Sequence, residues 1–418
     1  MTSAPPGGRP PLSAPSFAGL WRELEPIGRD PRTGAYRRYS WTPADAACRD
    51  WFTRQAQQRG LQVEPDNNGN LWAWWGEKKP DAVVTGSHLD SVPDGGGFDG
   101  ALGVVTALAA VDLLQAKSFY PERPVALAAF TEEEGARFGV ACLGSRLLTG
   151  TIDAAAARAL ADDAGTTLAE AMAAAGHDPA RLGPRDDLLD GIAAFVELHV
   201  EQGRALDPMG AAIGLGDGIW PPGRWRLDFQ GRADHAGTAR LADRHDPMLP
   251  YASTVLAARQ AAADSGAVAT IGKVIAEPNG TNAVPSAVRA WLDVRAPDAG
   301  TVEKTVTTIR SASKRFSREH GVALSMRQES YTPLVRFDEP LRDRMAAALA
   351  AAGLAAPVLP TAAGHDAGIL SARVPAAMLF VRNPTGISHS PAEHAELADC
   401  EAGVRALATV LADLAGPT

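Results

Sequence analysis

The feature that most constrains this chain is a repeated pairing of a short apolar run with a polar cluster at its end. Three such segments read DAVVTGSHLD at residues 81–90, RPVALAAFTEEEG at 123–135 and GIAAFVELHVEQG at 191–203. Runs of this length with no polar alternation suit buried strands. Between the first two lies ALGVVTALAAVDLLQ, long and apolar enough to be a packed helix. Strand, helix, strand in this order predicts an α/β sheet with helices on both faces. Polar residues that gather where such strands end occupy the place where these sheets put their sites.

The flanking segments extend this reading. PADAACRDWFTRQAQQRG, from Pro43, spaces Ala47, Trp51 and Phe52 as an amphipathic helix that Gly60 closes. LQVEPD and NLWAWWG alternate as strands about an Asn67-Asn68-Gly69 turn. Residues 151–190 read as an Ala-rich helical insert. Near residue 213 the texture changes to alternating strands, with helical stretches near 247–264 and 300–320 between them. That pattern predicts a small α+β sandwich inserted into the chain. After about Glu339 apolar helices and a strand return. At 418 residues the chain exceeds what one core usually supports. The expectation is a discontinuous mixed-sheet catalytic domain, 1–211 and 331–418, carrying an inserted α+β domain at 212–330. Residues 1–16, rich in Pro, Gly and Ser, read as a disordered tail and not as a signal peptide.

Composition removes several classes of function. A formal net charge of −9 argues against a nucleic-acid footprint. It leaves room for a locally positive pocket and a small anionic substrate. No apolar stretch of about 18 residues is present, so no membrane span is expected. The three cysteines, Cys48, Cys142 and Cys400, form no CxxC pair and read as core residues in a reducing cytosol.

Four clusters carry the chemistry. In SHLDSVPDGGGFDG, His88 and Asp90 stand two apart, so an extended strand end puts them on one side. A ligating histidine needs a partner to fix its tautomer, and Asp90 is spaced for that. Gly95 to Gly97 are expected to let the backbone turn tightly and return Asp99 beside His88. In TEEEG, the adjacent Glu132, Glu133 and Glu134 repel one another unless cations neutralise them. An isolated EEE is a solvated turn; at the end of an apolar strand, one carboxylate can bind metal while a neighbour takes a proton from water. His199 in ELHVEQG alone would read as a core histidine, and His389 in GISHSPAEH alone as a loop residue. Together the clusters supply enough imidazole and carboxylate for two divalent ions sharing a bridging carboxylate.

With these motifs in view, the sequence resembles the amidohydrolase branch of the aminoacylase/carboxypeptidase-like dinuclear metallopeptidases. That branch includes N-carbamoyl-L-amino acid hydrolases, allantoate amidohydrolases and β-ureidopropionases. The resemblance spans about Trp41 to Leu414, through GSHLDSVPDGGGFDG, TEEEGARFG, ELHVEQG, GRADHAGT, GTNAVPSAV, DVRAPD, GHDA and GISHSPAE. It implies one ion held by His88, Asp99 and His199, and a second held by Asp99, Glu134 and His389. The ions would be zinc, manganese, cobalt or nickel. Glu133 is implied as the general base and Asp90 as the partner of His88. A histidine at 199, in place of a carboxylate, is the pattern of this branch.

The resemblance also implies substrate groups. His235 would stabilise an oxyanion, Asn282 and Arg295 would hold a substrate carboxylate, and Gln202 would contact the carbamoyl or ureido end. Gly364 and His365 would complete the pocket. An arginine fork matches a carboxylate bidentately, although Arg295 reads equally as a structural salt bridge, Asn282 as a turn residue and His235 as a strand-end cap. The step from GHDA into Gly368-Ile369 departs from the Gln more common in the branch. His245 and His394 are weaker candidates for supporting roles, and His177 and His320 read as exposed or capping residues. The implied activity is hydrolysis of a linear C–N bond in an N-carbamoyl-L-amino acid, allantoate or related ureido acid. Deacylation, deformylation and dipeptide cleavage remain rival readings. A homodimer formed through the inserted dimerisation/lid domain and a cytoplasmic location complete the expectation.

Overall fold

The computed structural model describes residues 17–416. The sequence reading of residues 1–16 lies outside these described residues. The chain divides into two units: one runs up to Asp217 and resumes at Arg336, and the other is Gly218–Val335. The first unit opens with β1 (Gln62–Pro65), β2 (Leu71–Trp75), β3 (Ala82–His88), β4 (Val125–Phe130), β5 (Ile192–Val200) and β6 (Ile213–Ile219). The inserted segment carries β7 (Pro222–Gln230), β8 (Asp234–His235), β9 (Val268–Glu277), β10 (Ala283–Val284), β11 (Ala287–Arg295) and β12 (Ala323–Tyr331). β13 (Val335–Arg336), β14 (Val358–Thr361) and β15 (Ala376–Val381) follow.

The large sheet has the order β1-β2-β4-β3-β5-β15-β6-β13, with β14 beside β6. Its centre is parallel: β3 pairs with β4 and β5, and β5 with β15. Its flanks are antiparallel, where β2 meets β4 and β15 meets β6. The sheet is therefore mixed, as the sequence predicts. Against the expected 212–330, the inserted unit starts later, at Gly218, because β6 pairs with β15 and belongs to the large sheet, and it ends later, at Val335.

Period-two alternation sorts β5 into a packing face and a working face. Ala194, Val196, Leu198 and Val200 enter the core with Leu102, Val105 and Leu108 of the helix Ala101–Ala116. Trp51 and Phe52 of the helix Pro43–Gln58 join the same core. The residues between them point the other way: Phe195 packs against Phe130, and His199 follows two residues after Glu197. Pro43 stands in the first turn of its helix behind the Thr42 cap, where its missing N–H costs nothing.

The inserted unit is a four-stranded antiparallel sheet, β12-β7-β11-β9, with the helices Met248–Ser265 and Ala299–Glu319. Its core gathers Trp225, Leu227, Phe229, Val288, Leu292, Val294 and Ile309. Strict alternation of buried and half-buried residues along β11 marks one covered face. Among the described residues, no helix is long and apolar enough to cross a membrane.

Candidate metal centre

Strand ends and two loops bring the polar clusters together. His88 ends β3, His199 lies near the end of β5, and Glu132 to Glu134 follow β4. Asp99 precedes the helix Ala101–Ala116, and His389 lies on the loop after β15. Ligand atoms of His88, Asp99 and His199 all lie within 4.8 Å of one another, and so do those of Asp99, Glu134 and His389. Asp99 is common to both groups. Its Oδ1 is 3.6 Å from His88 Nε2 and 3.1 Å from His199 Nε2. Its Oδ2 is 3.4 Å from His389 Nε2, which is in turn 3.6 Å from Glu134 Oε2. A carboxylate that turns one oxygen to each group has the arrangement of a bridging ligand.

Backbone contacts set the imidazoles. His88 Nδ1 lies 3.1 Å from the Asp90 carbonyl and His199 Nδ1 lies 2.9 Å from the Val200 carbonyl. Each Nδ1–H donates to its carbonyl, so Nε2 is the ring atom that each imidazole turns toward Asp99. Gly100 has φ 65°, and a Cβ there would lie 2.3 Å from His88 Cε1. Only glycine serves at this point, where the helix starts against the imidazole. Asp90 acts more widely than expected. Its carboxylate accepts the N–H of Glu133 at 3.2 Å and of Glu134 at 3.1 Å. It thereby fixes the two glutamates as well as facing His88.

The three glutamates separate. Glu132 is buried, and its Oε1 accepts the N–H groups of Arg137 and Phe138, so it builds the loop. Glu133 Oε2 lies 3.6 Å from His88 Nε2, and its Oε1 accepts from the Cys142 thiol at 3.1 Å. Cys142, expected to be a plain core residue, is buried yet touches the candidate base. Nothing in its sequence context signals this.

The electrostatics describe concentrated negative charge. Burial pushes the Glu133 carboxyl up to about 8 against the pull of His88, and Glu134 adds to the rise. Glu134 is also pushed up to about 8, by burial first and then by Asp99. Burial opposes a charge on His199, but the hydrogen bond with Asp99 outweighs it and raises this imidazole to about 9. Burial likewise opposes a charge on His88, yet Glu133, Asp90 and Asp99 hold it well above the usual range. Buried His88 Nε2 and Glu134 Oε1 have no hydrogen-bond partner among the described residues. Imidazoles and carboxylates converging with inward, unpartnered atoms fit divalent metal ions.

The remaining predicted residues lie in varied settings. Gln202 Nε2 donates to Asp99 Oδ2 at 2.8 Å, which places it beside the carboxylate common to both groups. Gly364 has open space where a Cβ would stand. His365 is only 2% exposed and packs edge-on against His199 with ring centroids 4.6 Å apart. In the inserted unit, exposed His235 pairs with Ala283 across β8 and β10. Its Nδ1 accepts from the N–H groups of Gly237 and Thr238, which leaves the proton on Nε2. The Asn282 carbonyl accepts the Ala236 N–H. Arg295 grips Asp293 with Nε at 2.8 Å, the salt bridge that its sequence also allowed. His245 bonds the Gly321 carbonyl within the inserted unit, and His394 pairs with Glu396 at the surface.

Asp99 lies beside His88, with Oδ1 3.6 Å from His88 Nε2. Gly95, Gly96 and Gly97 before it are not among the glycines at positive φ. They also make room: added Cβ atoms would press on Val92, Glu393 and Tyr36 respectively. Glu393 was missed by the sequence reading, although it lies within the GISHSPAE motif.

Residues 84–413 match peptidase family M20/M25/M40. The chain belongs to this family. Within M20/M25/M40, it is 34% identical to an N-carbamoyl-L-amino acid amidohydrolase of Geobacillus stearothermophilus, over 93% of this chain and 96% of the relative. It is 31% identical to an allantoate amidohydrolase of Escherichia coli, over 94% and 96% of the two chains. A solved hydantoinase/carbamoylase family amidase from Burkholderia multivorans superposes with a TM-score of 0.84 at 29% identity, covering 96% of this chain and 98% of the other. The resemblance carried by the motifs is thus the one that whole-chain comparison returns.

Proposed function

We propose that this M20/M25/M40 member is an amidohydrolase that uses two divalent ions to cleave the linear C–N bond of an N-carbamoyl-L-amino acid, allantoate or a similar ureido acid. The observation that carries the reading is the sharing of Asp99 between two groups of ligand atoms with Glu133 beside them. Bound divalent ions of this kind acidify water and polarise a carbonyl. His88, Asp99 and His199 would hold one ion, and Asp99, Glu134 and His389 the other; zinc, manganese, cobalt and nickel all accept such donors.

The chain's own residues then divide the remaining work. Glu133 takes the proton from the attacking water and passes it to the leaving nitrogen. Asp90 keeps Glu133 and Glu134 in place through their N–H groups. His235, with its proton on Nε2, donates to the oxyanion that develops on the scissile carbonyl. Asn282 and Arg295 of the inserted unit receive the substrate carboxylate, and Gln202 receives the carbamoyl or ureido end.

The same unit supplies the dimer contact in this reading. β9 is an edge strand of its sheet, and Val268, Val274 and Ile275 on it are 53%, 47% and 38% exposed. An exposed apolar edge favours pairing with another chain. A cytoplasmic location agrees with three free, buried cysteines.

The test is a substrate screen on protein reconstituted separately with zinc and with manganese. Turnover of N-carbamoyl amino acids or allantoate above N-formyl, N-acetyl and dipeptide substrates is expected. Preference for a dipeptide or an N-acyl amino acid would replace the ureido reading with a deacylase or dipeptidase.

A further inference from the structure

Glu393 lies about three hundred residues along the chain from the loop it serves. It is buried, at 5% exposure. Its Oε2 accepts the backbone N–H of Phe98 at 2.8 Å and of Asp99 at 3.0 Å. Its Oε1 accepts from the Ser388 hydroxyl at 3.3 Å, and the same hydroxyl lies 3.4 Å from Asp99 Oδ2. One carboxylate therefore ties together the loop that ends in Asp99 and the loop that carries His389.

The Asp99 loop needs such a tie. Its three consecutive glycines give the backbone freedom that must be removed before Asp99 can face both groups of ligands. Gly96 admits the tie, because a Cβ there would stand 2.4 Å from Glu393 Oε2 and 2.5 Å from Glu393 Cβ. Charge-assisted bonds from two adjacent N–H groups to one carboxylate are stronger than neutral ones and fix the backbone's direction. His389 itself is held at φ 54°, a conformation that a non-glycine residue keeps only when its surroundings impose it.

We propose that Glu393 is a positioning residue that locks the bridging Asp99 and the His389 loop into one ion-binding arrangement. The proposal rests on the reading of Asp99 as a shared ligand. Glu393 touches no reacting atom; it acts through the residues it holds. Its loss falls hardest on the ion taken by Asp99, Glu134 and His389, since Ser388 links it to that loop.

The experiment uses the full chain stripped of metal, as wild type, Glu393→Gln and Gly96→Ala. Manganese alone and zinc alone are titrated into each by calorimetry, with metal-free melting followed by circular dichroism, and kcat and KM measured on the best substrate of the wild type. The glutamine keeps the volume but removes the charge, and with its amide oxygen on the Phe98 and Asp99 N–H groups it turns its NH2 toward the Ser388 hydroxyl. The alanine displaces Glu393 without changing its charge. Both variants are expected to melt like the wild type when metal-free, to bind one of two ions at least tenfold more weakly, and to lose kcat while KM changes less than threefold. Two ions bound as tightly as in the wild type with unchanged kcat would overturn the proposal. So would loss of the metal-free melting transition in both variants, which would make Glu393 a support of the fold at large. A wild type that binds no divalent ion overturns the functional reading, and with it this proposal.

Discussion

Glu132, Glu133 and Glu134 are neighbours in sequence but occupy three environments. Glu132 closes a loop by accepting two N–H groups, Glu133 faces His88 and Cys142, and Glu134 faces His389. Their separation follows from φ 55° at Glu132, which turns the chain so that successive side chains diverge. A base that is not a ligand can be removed without dismantling the ion sites. Replacing Glu133 with Gln is expected to lower kcat by roughly 10²–10⁴-fold, with ion affinity changed by less than about threefold, a factor worth well under the ~1.4 kcal/mol of a tenfold change. Steady-state kinetics paired with ion titration checks this. Full turnover by the variant would remove Glu133 from the role of base.

At the scale of elements, the sheet was the most legible part of the sequence. Runs such as VALAAF and AAFVELHV are apolar without interruption because β4 and β5 are covered on both faces, and their polar ends mark where the covering stops. The clusters containing His88, Asp99, Glu134, His199 and His389 could be picked out on that basis. What escaped the sequence was set by long-range packing. Gly96 and Gly97 also serve as clearance for Glu393 and Tyr36, side chains from distant parts of the chain, which no local pattern encodes. The packing of His365 against His199, from the cap position of the helix Asp366–Leu370, is likewise a contact between distant parts of the chain. Cys142 and Glu393 matter through contacts with Glu133 and Asp99 that local sequence does not announce. The edge strand β9 gives an element-scale prediction. If the chain pairs through β9 as proposed, the parent protein sediments as a dimer, and a lysine in place of Val274, which puts a charge on the exposed apolar edge, should give a folded monomer in sedimentation equilibrium. A Val274→Lys protein that stays dimeric would move the interface away from β9.

Across the whole molecule, the buried cluster links stability to pH and to metal. Glu133 and Glu134, raised to about 8 when folded, bind protons that the unfolded chain has released above the ordinary carboxylate range. His199, raised to about 9, likewise holds its proton beyond the ordinary imidazole range. In each case the folded state binds more protons, so the stability these groups contribute is lost as pH rises. His365 has the opposite sign: burial, with His199, holds it well below its usual value, and its contribution is lost as pH falls below about 6.5. Metal-free protein is therefore expected to melt at progressively lower temperature between about pH 6.5 and pH 9, and saturating zinc or manganese should remove most of that slope. Calorimetric scans across this range measure it; a metal-free protein whose melting temperature rises over the same interval would contradict it.

The most direct measurement is anomalous scattering from crystals of the full chain reconstituted with zinc or manganese. The account predicts two peaks roughly 3.5–4 Å apart, one bordered by His88 and His199, the other by Glu134 and His389, with Asp99 between them. A single peak, or two peaks that do not share Asp99, would contradict it.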